Sequence, residues 1–87
     1  MYVIRFSDDA QKDVLLLQKK VPQAMNKFRA LLKEIADHPR TGTGQVEQLK
    51  HYKNETWSRR ITKEHRLVYE IHDDTILVLV ISSYGHY

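Results

Sequence analysis

Several side chains in the second half of this 87-residue chain could do chemistry together: the carboxylate of Glu47, the arginines Arg60 and Arg66, Lys50 and His51, and the terminal pair His86-Tyr87. The arginines are the most informative. They fall within Thr56–Thr62 and Arg66–His72, segments that otherwise read as strands. A planar, permanently charged guanidinium matches a phosphate through two-point contact. A carboxylate, a histidine and two arginines around one sheet surface would suffice to cleave RNA without a metal. Such cleavage needs a base for the ribose 2′-hydroxyl proton, cations for the charge on phosphorus, and an acid for the departing 5′-oxygen. An aromatic ring can stack on the exposed base.

Each residue also has an ordinary reading. Glu47 is one of eleven acidic residues and could be a solvated loop carboxylate. Arg60 and Arg66 could pair across strands with Glu64 or Glu70, a common arrangement in antiparallel sheets. Lys50 and His51 could be plain surface, and His86-Tyr87 a frayed chain end. The other histidines give no ligand spacing: His65 and His72 are separated by a strand, His38 precedes a proline, and there is no cysteine. Neither a metal site nor a cofactor is expected. His65 is expected to shape the turn between strands, and Trp57 to belong to the core or to cover the sheet.

The elements that must position these groups follow from periodicity. Residues 2–6 alternate as a first strand. Ser7-Asp8-Asp9 reads as a helix start, with a hydroxyl cap and two acids at the positive end. Ala10, Val14, Leu17 and Val21 follow helical spacing. Pro22 breaks the run and suits the first turn of a second helix, whose stripe is Ala24, Met25, Phe28, Leu31, Leu32 and Ile35 before His38-Pro39 ends it. Arg40 to Gly44 reads as a loop, and residues 45–55 show little pattern beyond Leu49. Strands are expected at 56–62, 66–72 and 75–83, with turns at Lys63-Glu64-His65 and Asp73-Asp74. In the first of these, Trp57, Arg59 and Ile61 share one face, with Ser58, Arg60 and Thr62 on the other. In the second, Leu67, Tyr69 and Ile71 point inward. The third is apolar on both faces and is expected to be central. The fold class is α+β, strand–helix–helix followed by a three-stranded antiparallel meander, with the helices packed on one sheet face and Ser58, Arg60 and Arg66 on the other.

Composition sets bounds. The length suits a single domain, residues 1–87. The net charge of +3 is mild, compatible with a polyanion or an acidic partner. The cationic residues Lys12, Lys19, Lys20, Lys27, Arg29 and Lys33 on the helices read equally as a solvated face or as contacts to RNA. The amino terminus does not read as a secretory signal, and no stretch is long enough to span a membrane. With no cysteine, this fits a cytoplasmic protein.

The pieces Glu47-Gln48-Leu49-Lys50-His51, Trp57-Ser58-Arg59-Arg60-Ile61-Thr62, Glu64-His65-Arg66-Leu67-Val68-Tyr69 and the terminal His86-Tyr87 resemble the YoeB/Txe toxins, ribosome-dependent mRNA interferases within the RelE/ParE superfamily. The resemblance implies a RelE-like, microbial ribonuclease fold and cleavage of mRNA in the ribosomal A site, leaving a 2′,3′-cyclic phosphate and a 5′-hydroxyl. By matched position it implies Glu47 as general base, His86 as general acid and Arg66 as phosphate stabiliser. Lys50, His51, Arg60 and Tyr87 would bind or orient the RNA. The implied partners are the bacterial ribosome with its mRNA and a partly disordered YefM/Axe-like antitoxin. Some members dimerise. Two departures stand out: Gly44-Gln45-Val46 precedes Glu47 where the family usually has a glycine and a proline, and Gly85 precedes the histidine where a tyrosine often sits. A gyrase-poisoning toxin of the ParE type, or a non-catalytic RNA- or partner-binding module of the same fold, is the alternative function.

Overall fold

The computed structural model describes residues 1–75 with their side chains, and 77–82 as backbone. Its elements are β1 (Val3–Phe6), α1 (Asp8–Lys20), α2 (Met25–Asp37), β2 (Glu47–Leu49), β3 (Thr56–Arg60), β4 (Arg66–His72) and β5 (Leu77–Ser82). Single 3-10 turns occupy Pro22–Ala24 and Asp73–Thr75. Ser7 caps α1 as its sequence signals: its Oγ accepts from the Ala10 amide at 3.0 Å. At Pro22, the chain takes the 3-10 turn before α2 begins, so the two helices are joined without a long loop.

The expected meander β3–β4–β5 forms, but it is the middle of a larger sheet. Five strands lie in the order β1-β5-β4-β3-β2. β1 adds in parallel beside β5, and β2 adds antiparallel beside β3. β5 is therefore flanked on both sides, in keeping with its two apolar faces. Strand β2 arises where the sequence pattern is weak. Three residues with a single apolar member carry almost no periodicity, and the neighbour β3 supplies the hydrogen-bonding edge that extends them.

One face of the sheet is covered. Ala10 and Leu17 of α1, and Phe28, Leu31 and Ile35 of α2, are buried against Leu67, Tyr69 and Ile71 of β4, with Ile61 and Ala24 completing the core. Phe6 and Phe28 meet as tilted rings 6.3 Å apart. Alternation along β4 thus sends one set of residues to the helices and the other, Arg66, Val68 and Glu70, to the opposite face. Between Val68 and Tyr69, the pairing of β4 with β5 shifts register, Val68 facing Ser82 and Tyr69 facing Val80. A bulge of this kind bends the strand and re-aims the residues beyond it.

Candidate active site

The face away from the helices is organised by register. Glu47 of β2 faces Ser58 of β3, Ser58 faces Val68 of β4, and Val68 faces Ser82 of β5. Four strands thus share one row. Two residues along from Ser58 and Val68, Arg60 and Arg66 face each other directly. Neighbouring strands lie about 4.8 Å apart, so Glu47 stands roughly 10 Å from the β4 backbone in its row, with the two arginines one pleat repeat further on. Ser58 and Val68 are buried, Glu47 is exposed, and Arg60 and Arg66 are half-buried.

Like charges placed opposite each other destabilise a sheet. Of the two acids that could pair with these arginines, Glu64 and Glu70, the second has other partners. Glu70 faces Thr56 and bonds instead to His72 Nε2 at 2.9 Å and to Asn54 Nδ2 at 3.3 Å. Arg66 Nη2 donates to Ser58 Oγ at 3.1 Å and to the Gln45 carbonyl at 3.4 Å. Through the latter bond, the arginine touches the segment that delivers Glu47. Arg60 Nε is buried with no hydrogen-bond acceptor among the described residues. Two guanidiniums near a carboxylate are the residue types that can hold an anion and deprotonate a neighbouring hydroxyl.

Lys50 and His51 come directly after β2, and both are exposed. His51 has a positive φ of 70° and turns the chain away from the strand end. His86 and Tyr87 lie outside the described residues, although the last described residue of β5, Ser82, belongs to the Glu47–Ser58–Val68 row. His65 does shape its turn: its carbonyl accepts from the amides of Ile61 and Thr62, and its amide donates to Thr62 Oγ1 at 3.1 Å. Trp57 packs against the core, half-buried, with Nε1 donating to Glu55 at 2.7 Å. Among the described residues, no group of three or more histidines or acids could hold a metal ion, and no helix is long and apolar enough to cross a membrane.

The third strand arginine, Arg59, has a use that strand parity alone does not reveal. Its side chain is 0 % exposed, on the helix-covered face. All five guanidinium donors have acceptors. Nε donates to Tyr69 Oη at 3.0 Å, and Nη2 to the carbonyls of His38 at 2.6 Å and Thr41 at 2.7 Å. Nη1 donates to Glu34 Oε1 and, at 3.4 Å, to the Thr43 carbonyl. This arginine is therefore saturated by protein and does not serve a phosphate. Glu34 completes the cluster by accepting from the Thr43 amide at 2.7 Å. That bond, with help from Arg59, holds its carboxyl below the ordinary carboxylate range. Tyr69 Oη donates to the Pro39 carbonyl at 2.7 Å, and burial pushes its hydroxyl pKa up. The signal in the sequence was a charged residue at an inward position of β3, on the face covered by a helix that carries Glu34.

A second ionic cluster ties together the segments that flank β1, β3 and β4. Arg40 grips Glu55 with two bonds of 2.8 and 2.9 Å and reaches Asp73 at 2.7 Å, while the Tyr2 hydroxyl donates to Asp73. The Arg40 bond lowers the Glu55 carboxyl, and the Tyr2 bond, followed by Arg40, lowers that of Asp73. Their carboxylates in turn raise the Arg40 guanidinium.

Comparison with known proteins defines the class. Residues 6–87 match the model of the YoeB-like toxins of bacterial type II toxin–antitoxin systems. Toxin YoeB of Escherichia coli is 40 % identical over 73 residues, covering 84 % of this chain and 87 % of its own. Among solved structures, the YoeB/ParE toxin of Agrobacterium tumefaciens superposes with a TM-score of 0.88 at 30 % identity over the whole of both chains. The toxin in the heterotetrameric YoeB–YefM complex of Staphylococcus aureus does so with a TM-score of 0.82 at 34 % identity, covering 100 % of this chain and 99 % of that one. The fold is thus that of the toxin half of a toxin–antitoxin pair, and this chain belongs to the YoeB-like toxin family.

Proposed function

We propose that this toxin is a metal-independent endoribonuclease that cuts mRNA in the ribosomal A site and so stops translation. Glu47 takes the proton from the ribose 2′-hydroxyl, whose oxygen attacks phosphorus. Arg66, with Arg60 opposite it, balances the charge that builds on the phosphoryl oxygens. His86 gives a proton to the departing 5′-oxygen, leaving a 2′,3′-cyclic phosphate on one fragment and a 5′-hydroxyl on the other. Lys50, His51 and Tyr87 hold the RNA. Between episodes of activity, a YefM-like antitoxin occupies the toxin in the cytoplasm.

The observation that carries this reading is the direct opposition of Arg60 and Arg66, one row from Glu47. Two guanidiniums brought face to face across a strand pair, where like charges are disfavoured in general, are well placed to share the oxygens of one phosphate. A general base and an electrostatic clamp typically contribute about a hundredfold or more each. The test is induced expression in bacteria, with RNA 5′ ends mapped after growth arrest. Cuts inside codons of translated messages are expected from the wild-type chain and should vanish in Arg66→Ala. Arrest with intact messages and trapped gyrase–DNA breaks would place the chain with the gyrase poisons instead.

A further inference from the structure

The loop from His38 to Val46 delivers Glu47, yet it has almost no secondary structure of its own. Three of its backbone angles are of a kind that side chains seldom adopt: Gly42 (φ 128°), Gly44 (φ 90°) and Gln45 (φ 53°). A non-glycine residue in the left-handed region persists only where its surroundings determine it. The surroundings here are identifiable. From beneath, Arg59 binds the carbonyls of His38, Thr41 and Thr43. From α2, Glu34 binds the Thr43 amide and hydroxyl. From the strand edge, the Arg60 amide donates to the Gly44 carbonyl. From the active face, Arg66 reaches the Gln45 carbonyl. Two residues later the chain enters β2 and sets Glu47 opposite Ser58.

We propose that Arg59, paired with Glu34, is the positioning residue of the active site. From the opposite side of the sheet, it locks the 38–45 loop in the one conformation that registers Glu47 against Ser58 and aligns it with Arg66. Adjacent residues of one strand point to opposite faces. Arg59 and Arg60 therefore divide the work: one guanidinium builds the loop, and its neighbour faces the substrate. Lysine cannot replace Arg59, because a single ammonium cannot reach five acceptors arranged around a planar fork. The proposal rests on Glu47 acting as the base, and a loop loosened by about an ångström would cost about a hundredfold in rate.

The experiment uses the purified full-length chain with ribosomes programmed with a defined mRNA. It compares Arg59→Lys, Glu34→Ala and Glu34→Gln with Glu47→Gln. In Glu34→Ala and Arg59→Lys, the amides of Thr43 and Arg60 are expected to exchange hydrogen at least tenfold faster, while core amides of β4 stay protected. The maximal single-turnover rate is expected to fall about a hundredfold, with half-saturation by ribosomes unchanged within about threefold. Glu34→Gln keeps the acceptor oxygen and should cleave within a few-fold of wild type. Should Arg59→Lys fail to fold, the Glu34 pair carries the same contrast. The proposal is overturned if folded Glu34→Ala shows wild-type loop exchange, or if it cleaves at the wild-type rate while Glu47→Gln is inactive. A Glu47→Gln chain that cleaves like wild type would instead refute the assignment of the base, a failure distinguishable from the first.

Discussion

Substituting Gly42 with alanine tests the loop clamp by stability alone. The backbone there has φ 128°, which L side chains rarely adopt, and the added Cβ would overlap the Glu34 carboxylate and stand 2.9 Å from Arg59 Nη1. Forcing alanine into such a conformation costs about 1–2 kcal/mol. Displacing the Glu34 carboxylate weakens its bonds to Thr43 and Arg59. Bonds to charged groups contribute roughly 1.5–3 kcal/mol in general, and the partial exposure of Glu34 reduces this to about 1–2 kcal/mol for the group. The sum is about 2–4 kcal/mol. For a domain of this size, each kcal/mol moves Tm by about 4–8 °C, so Tm should fall by about 8–30 °C. In a Glu34→Ala background the overlap with the carboxylate disappears, leaving backbone strain and the close approach to the end of the Arg59 side chain, which can shift once Glu34 no longer holds it. Gly42→Ala should then cost about 1–2 kcal/mol, a coupling of the order of 1–2 kcal/mol in a double-mutant cycle. Thermal and urea melts monitored by circular dichroism give all four corners. A Gly42→Ala chain melting within about 2 °C of wild type, or strict additivity with Glu34→Ala, would refute the reasoning.

Three further outcomes rest on named contacts. The Glu34, Glu55 and Asp73 carboxyls all titrate below their ordinary range in the folded chain, because Thr43, Arg40 and Tyr2 respectively bond to the ionised form. The stability they contribute is therefore fully present above the unfolded carboxylate values near pH 4, and is lost as pH falls through the lower folded values. Urea midpoints should decline below about pH 5, and less steeply in Glu34→Gln and Glu55→Gln. Tyr69→Phe removes a buried hydroxyl that accepts from Arg59 and donates to Pro39. Urea titration should register a loss of about 1–3 kcal/mol. Inorganic sulfate should raise the Tm of wild type more than that of Arg60→Gln, because the anion relieves the opposed arginine pair only where both members are present.

How much of this was legible before coordinates depends on the residue. The two helices, the capping serine at position 7, the core stripe through Phe28, Leu31 and Ile35, and the inward set Leu67, Tyr69 and Ile71 all follow from periodicity, and the structure reproduces them. Arg60 and Arg66 fall on the face away from the helices, as alternation requires. The sheet's full width was not legible. Pairing between β1 and β5 joins segments more than seventy residues apart, and nothing local in Val3–Phe6 names its partner. Nor does Glu47-Gln48-Leu49 carry a strand signal; its pairing is imposed by β3. The role of Arg59 was not legible either, beyond its place on the face of Trp57 and Ile61. Arg59 shows that the same fork serves equally well to gather backbone carbonyls, and only the tertiary approach of α2 and the 38–45 loop decides which use prevails.

The central claim is that a carboxylate on β2 and the arginine pair of β3 and β4 act on one phosphodiester. The most direct measurement is single-turnover cleavage of A-site mRNA on purified ribosomes, with chemical identification of the new ends, by wild type and Glu47→Gln. Wild type should leave a 2′,3′-cyclic phosphate and a 5′-hydroxyl, and Glu47→Gln should be slower by a factor of about a hundred to ten thousand. Cleavage by Glu47→Gln at the wild-type rate, or ends bearing a 5′-phosphate, would contradict it.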